Sequence, residues 1–278
     1  MSPSVKSAGI PAFVLAKEQA LFARLQTFPA LAVAYSGGVD STYLAAVAHD
    51  ALGGALTLIL ADSPSIPRSE VREAIALAEE RGWPLQIVQT TEFDKEAFLA
   101  NDGTRCYHCK TELFTQMDAI AKTHGIPVIA YGEIADDRHD PTRLGAKAAA
   151  EHQVIAPLAD AGLSKEEIRR LAKARGLANW NKASFACLSS RFPKGTPVNI
   201  EEMHRVEAGE EFLKAHGFHQ YRVRHHGDLC RIEVEPRDFP KFLDPAFHEA
   251  LLANFREIGY KHITLDLAGY RTGSTATG

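Results

Sequence analysis

Along the first two thirds of the chain, short near-continuous apolar runs alternate with stretches whose apolar positions fall three or four apart. The runs at 30–35, 56–61, 85–90, 128–132 and 154–157 have the length and composition of strands buried on both faces of a parallel sheet. Helical spacing fills the intervals at 40–52, 67–81, 107–124 and 140–152. Asp140-Pro141 reads as an N-cap followed by proline at the first helical position. Ser164, with Glu167 three residues on, forms a capping box opening a further helix to about residue 175. Such alternation predicts a doubly wound α/β domain over residues 1–185.

Beyond Gly176 the period is lost, and 177–199 predict a long loop carrying Cys187. A helix at 200–216, strands at 219–226 and 229–235, a helix at 245–258 and a strand at 261–268 then predict a small α+β domain within 186–278. The Gly/Thr/Ser-rich tail from Arg271 predicts disorder. Gly227-Asp228 is a two-residue turn signal that pairs 226 with 229, 224 with 231 and 222 with 233. Alternation puts Tyr221, Val223, Cys230, Ile232 and Val234 on an apolar face, making Cys230 a small buried hydrophobe. The opposite face holds Arg222, Arg224, Arg231, Glu233 and Glu235. Arg224 directly across from Arg231 is unfavourable alone, so this face is either prepared for an anion or solvated with Arg222–Glu233 as a surface pair.

At 278 residues, with 45% hydrophobic and 24% charged residues, the chain has a globular composition. No uncharged apolar run approaches the roughly 20 residues of a membrane helix, and no signal peptide is evident, so a cytoplasmic protein without membrane partners is expected. Net charge is −4; from Arg191 onward 12 Lys+Arg face 13 Asp+Glu. There is no basic half to hold nucleic acid by its phosphates. Four cysteines are too few for a disulfide scaffold. Cys106 and Cys109 form a C-x-x-C in the stretch 105–110, read as a loop after the third strand, while Cys187 and Cys230 stand apart. The histidines read mostly as surface residues, and Glu210 and Glu211 as solvated positions on a helix.

The first strand runs into Ser36-Gly37-Gly38-Val39-Asp40-Ser41 before a helix begins. Glycines permit close backbone approach, and the free N–H groups of a helix start face an anion. The loop is neither a Walker A nor a G-x-G-x-x-G motif. It resembles the signature of the PP-loop ATP pyrophosphatases, which cleave ATP between the α- and β-phosphates. That resemblance implies that Ser36, Gly37, Gly38, Asp40 and Ser41 hold pyrophosphate and its Mg²⁺, and that Ala61 and Asp62, ending the second strand, frame the adenosine.

Three further segments, Ala61-Asp-Ser-Pro-Ser-Ile-Pro-Arg68, Gly132-Glu-Ile-Ala-Asp-Asp137 and Ser184-Phe-Ala-Cys-Leu-Ser-Ser-Arg191, together resemble the LarE family across nearly the whole chain. Those sulfur transferases serve the nickel-pincer nucleotide cofactor of lactate racemase. The resemblance implies adenylation of the carboxylates of pyridinium-3,5-biscarboxylic acid mononucleotide and replacement of oxygen by sulfur. Hydroxide leaves a carboxylate poorly and AMP leaves readily, so adenylation must come first, with Mg²⁺ offsetting charge on pyrophosphate. Where the family has Asn-Ala-Asp-Asp, this chain has Glu133-Ile-Ala-Asp-Asp137, which weakens the carry-over there, although Gly132 remains a nucleotide-binding candidate. Paired arginines of the family match Arg222 and Arg224 as phosphate ligands; Arg191 and Glu233 join them as substrate-binding candidates. A homo-oligomer is also implied.

The three-cysteine members resemble this chain in adding a C-x-x-C. Cys106, Cys109 and Cys187 are then the catalytic and metal-binding candidates, able to hold three irons of a [4Fe–4S] cluster with the fourth open to sulfide. Zinc, a redox pair, or Cys187 giving up its own sulfur are the alternatives. A tRNA thiolase would share loop and cysteines but lacks its basic surface here. An amide-forming synthetase would leave the cysteines unexplained, and the intact Ser36–Ser41 loop disfavours a nucleotide sensor without chemistry. The expected partners are therefore ATP, a small nucleotide substrate and sulfide.

Overall fold

In the computed structural model, residues 9–139, 144–183 and 186–271 are described. The elements run α1 (Ala12–Leu25), β1 (Leu31–Ala34), α2 (Val39–Leu52), β2 (Leu56–Asp62), α3 (Arg68–Glu80), β3 (Leu85–Gln89), α4 (Glu96–Leu99) and α5 (Arg105–His124). They continue β4 (Ile129–Tyr131), α6 (Gly145–Glu151), α7 (Pro157–Asp160), α8 (Lys165–Ala174), α9 (Ile200–Ala215), β5 (Tyr221–His226), β6 (Leu229–Val234), α10 (Pro245–Glu257) and β7 (His262–Leu265). The chain divides into two compact units. The first takes residues 1–63, 68–92 and 106–184; the second takes 64–67, 93–105 and 185–278. Segments 64–67 and 93–105, which chain order alone assigns to the first unit, thus cluster with the second.

The first unit is built on a parallel sheet in the order β3-β2-β1-β4. A single bridge from Ala130 to Ile155 stands where the pattern predicts a fifth strand. Strand order reverses beside β1: β2 and β3 lie on one side and β4 on the other. In doubly wound folds ligands bind at this switch, beyond the carboxyl ends of the strands. α5 and α6 cover one face, where Phe114, Met117 and Ala148 pack on Ala32, Ile59 and Ile129. α2 lies against β1 and β2; Thr42 through Ala48 are all buried in it. That helix is sheathed in turn by α1 and α8. The predicted Ser164 capping box is present, with both reciprocal bonds to Glu167. The Asp140-Pro141 N-cap lies outside the described residues, as does the tail beyond Arg271. α1 has no counterpart in the sequence expectations.

The second unit sets α9 and α10 with a three-stranded sheet, order β5-β6-β7. The hairpin has the predicted register, 226 with 229, 224 with 231 and 222 with 233. β7 then adds parallel to β6. Met203, Val206, Leu213, Val223, Ile232 and Phe255 form the core. Asn101, from the 93–105 excursion, ties down the 193–196 turn by donating to the carbonyls of Pro193 (2.9 Å) and Thr196 (3.0 Å).

Phe255 is fully buried, so Phe255→Ala should destabilise the second unit by about 3–5 kcal/mol. Urea unfolding followed by circular dichroism measures this, and a loss of under about 1 kcal/mol would contradict the packing described.

Candidate functional site

The phosphate loop leaves β1 at the switch point. Gly37 has φ +68, and a Cβ there would sit 2.6 Å from the Ala74 Cβ, so conformation and space both require glycine. Gly132, following β4, is held as closely: a Cβ would meet the Ser41 backbone nitrogen at 3.0 Å. Ser36 and Ser41 hydroxyls lie 3.0 Å apart, and Ser41 Oγ also receives the Ser36 N–H at 3.2 Å. Gly38 is the N-cap of α2 and brings no side-chain cap, which leaves the helix's first N–H groups for a ligand. Ser36, Gly37, Gly38, Asp40, Ser41 and Gly132 are therefore brought together at one edge of the sheet.

Two residues that pattern reading misses complete this edge. Lys165, the first residue of α8, donates to both Asp40 oxygens at 2.9 and 2.7 Å, and its own N–H bonds Asp136 at 2.9 Å. Asn179 donates to the Gly37 carbonyl and to Thr42 Oγ1, each at 2.9 Å. The capping box gives a signal for the place of Lys165; Asn179 gives none. At the end of β2, beyond Ala61, partial burial opposes ionisation of Asp62, but bonds from Arg68 and Gln89 hold its carboxyl below the usual range.

Cys106 and Cys109 are not in a loop as expected. They occupy the first turns of α5, where the i, i+3 spacing puts both thiols on one helix face. None of the four cysteines is in a disulfide. Cys187 belongs to the second unit, half-buried ahead of a 3-10 turn at Leu188–Arg191; Ser184 and Phe185 of its motif lie outside the described residues. Among the described residues no three His, Cys, Asp or Glu side chains are set together around a metal position.

Arg191 is 0% exposed and faces no open surface on which substrate could meet it. It grips Glu210 bidentately, at 2.8 Å on each arm. Its Nη1 donates to the carbonyls of Ala186 (2.5 Å) and Cys187 (2.9 Å). Burial disfavours its charge, but Glu210 outweighs that and raises the guanidinium pKa. Glu210, expected to be solvated, is buried because it serves this pair and also accepts the Val223 N–H at 3.1 Å. Two more arginines hold the same turn: Arg105 donates to the Ser189 carbonyl at 2.7 Å and Arg224 to that of Ser190 at 2.8 Å.

The charged hairpin face is not solvated: Arg222, Arg224 and Glu233 are buried. The pairing is Arg224–Glu233, bidentate at 3.0 and 2.9 Å, rather than Arg222–Glu233. Arg231 reaches Glu233 at 3.2 Å and also pairs with Asp266, so two carboxylates relieve the Arg224–Arg231 repulsion. Arg222 stacks on Tyr270 at 5.0 Å; burial and the nearby Arg191 lower its pKa. His225, counted with the surface histidines, is buried against Phe192 and Tyr260. Cys230 is buried as expected, and burial pushes its thiol up to about 12.

The switch-point loop and parallel sheet define a doubly wound PP-loop domain, joined to a small α+β unit. No protein-family model matches the chain. It is 39% identical over 241 residues, 87% of this chain and 90% of the other, to an uncharacterised protein of Synechocystis sp.. Over 258 residues, 92% of each chain, it is 33% identical to pyridinium-3,5-bisthiocarboxylic acid mononucleotide synthase of Lactiplantibacillus plantarum. An uncharacterised protein of Methanocaldococcus jannaschii is 28% identical over 240 residues, 86% of this chain and 90% of its own. The chain belongs to the LarE family of sulfur transferases. No described helix is long and apolar enough to cross a membrane.

Removing Arg191 alone would strand a buried carboxylate, so Arg191→Met should cost about 3–5 kcal/mol, and adding Glu210→Leu should recover much of it. Thermal melts of the single and double variants measure this. Cys230 is neutral when folded and ionises near its ordinary 9.0 when unfolded. Its contribution to stability is thus complete below pH 9 and lost as pH rises towards 12. Iodoacetamide at pH 9 should spare Cys230 in the folded chain and modify it in urea; labelling of the folded chain there would contradict this.

Proposed function

We propose that this protein is an ATP-dependent, AMP- and pyrophosphate-forming sulfurtransferase. Its substrate is pyridinium-3,5-biscarboxylic acid mononucleotide, whose carboxylates it converts to thiocarboxylates for a nickel-pincer nucleotide cofactor. The observation that carries the reading is 33% identity, over 92% of each chain, to a synthase named for the bisthiocarboxylic product. A phosphate loop at the sheet's switch point supports it. A substrate carboxylate oxygen attacks the α-phosphorus of ATP, and the bond to the β-phosphate oxygen breaks. Ser36, Gly38 and Ser41 hold the departing pyrophosphate through hydroxyl and backbone donors. Ala61 and Asp62 frame the adenosine, and Asp40 would hold the Mg²⁺. Sulfide then attacks the acyl carbon; AMP leaves with the original carboxylate oxygen, and sulfur stays on the product.

Arg222 and Arg224 would bind the substrate's phosphate, with Glu233 keeping Arg224 oriented. Arg191 and Glu210 hold the backbone that carries Cys187. The thiol donors Cys106, Cys109 and Cys187 suit three irons of a [4Fe–4S] cluster, which when bound would offer its open iron to exogenous sulfide. The net charge of −4 disfavours a tRNA substrate. We place the enzyme in the cytoplasm as a homo-oligomer.

Anaerobic purification followed by iron, acid-labile sulfide and zinc analysis tests the sulfur source. About four irons per chain are expected. Zinc or no metal, with Cys187 lighter by the mass of H₂S after one turnover, would instead show a consumed cysteine. Cys106→Ala should abolish multiple turnover while retaining ATP binding. Pyrophosphate release that ignores the carboxylate substrate would overturn the adenylation reading.

A further inference from the structure

We propose that Asn179, outside every motif, is a positioning residue for pyrophosphate: by holding the Gly37 carbonyl it aims the Gly38 N–H at the phosphate. The inference rests on the reading of the loop as a pyrophosphate cradle. Asn179 lies 142 residues from Gly37 in sequence, in the segment after α8, and its Nδ2 donates at 2.9 Å to both the Gly37 carbonyl and Thr42 Oγ1. One amide thus clasps the loop and the first turn of α2 together.

A trans peptide points its carbonyl and its N–H in opposite directions, and no described peptide is cis. With the Gly37 oxygen tied to Asn179, the Gly38 N–H must face away from Asn179. There its partner is Ser36 Oγ at 3.4 Å, on the exposed side of the loop, a long bond that an oxyanion would readily replace. Glycine at Gly37, with φ +68, cannot hold that orientation unaided, because it crosses between backbone conformations more easily than any other residue. Asn179 Oδ1 is meanwhile buried with no hydrogen-bond partner. An unpaired buried carbonyl destabilises the fold, so the Nδ2 bonds are kept against a penalty.

The competing explanation is that Asn179 only staples its segment to the first unit. Lys182, three residues on, already does that by pairing with Glu70 (2.7 Å) and Glu73 (2.8 Å), without touching the loop. It therefore supplies the control. Calorimetric titration of the full chain with inorganic pyrophosphate and Mg²⁺ should show Asn179→Ala binding about tenfold more weakly. Lys182→Met should melt earlier but bind as the unaltered chain does. Asn179→Asp keeps the shape and removes the donor, so it should bind as weakly as the alanine variant; it carries the test if that variant does not fold. Affinity within about twofold of the unaltered chain in both Asn179 variants would overturn the proposal. So would an equal loss in Lys182→Met. If the unaltered chain bound no pyrophosphate, the cradle reading itself would fall, and this inference with it.

Discussion

The Arg191–Glu210 pair is the contact on which the architecture of the second unit around Cys187 depends. A guanidinium at 0% exposure is tolerable only if a carboxylate neutralises it and its donors find acceptors. Glu210 supplies the first condition, and the Ala186 and Cys187 carbonyls help supply the second. The constraint works in both directions. A buried charge that needs acceptors fixes the short 3-10 turn and its approach, and the Ala186 and Cys187 carbonyls give the charge partners inside the fold. Because Glu210 also takes the Val223 N–H, α9, β5 and the cysteine turn share one junction. The backbone that carries Cys187 is thereby given a definite place.

The same logic explains the charged face of the hairpin. Arg224 and Arg231 stand opposite each other, an arrangement that would cost stability by itself. Glu233 between them and Asp266 at the end of the β6–β7 pair convert it into a network. The network holds Arg224 where it also caps the Ser190 carbonyl. Three arginines, Arg105, Arg191 and Arg224, therefore meet carbonyls of the segment 186–190 from three different parts of the chain.

Local signals were legible in the sequence and long-range ones were not. The four paired strands were visible because each is a short apolar run. The hairpin register followed from Gly227-Asp228 alone, and the Ser164–Glu167 box needs only its own four residues. The loop 36–41 is legible because its six residues are contiguous, and space within the first unit requires glycine at Gly37. What failed was the reading of charge as exposure. Glu210 reads as solvated, and the pattern of Arg222 and Glu233 leaves a solvated face open beside an anion site, because charged residues are usually exposed. Their burial depends on partners 19, 48 and 9 residues distant, which no local pattern can announce. The C-x-x-C stretch reads as a loop after the third strand, yet α5 begins at Arg105 and carries both cysteines on its first turns.

Cys187 and Cys230 show why identity of residue type decides so little. Both lie in the second unit. Cys230 alternates onto the core face of β6, where burial holds the thiol neutral far above the ordinary range. A thiol so placed is a poor nucleophile and a poor ligand, since both roles require the thiolate. Cys187 sits instead half-buried ahead of a 3-10 turn, its backbone held by charge rather than by a ladder. Period-two alternation could assign the first because a strand fixes which face a residue takes. It is silent on the second, whose surroundings are set by Arg191 and Glu210. The thiol fixed inside a sheet is thereby held neutral, while the position of Cys187 is set by the side chains that grip its backbone.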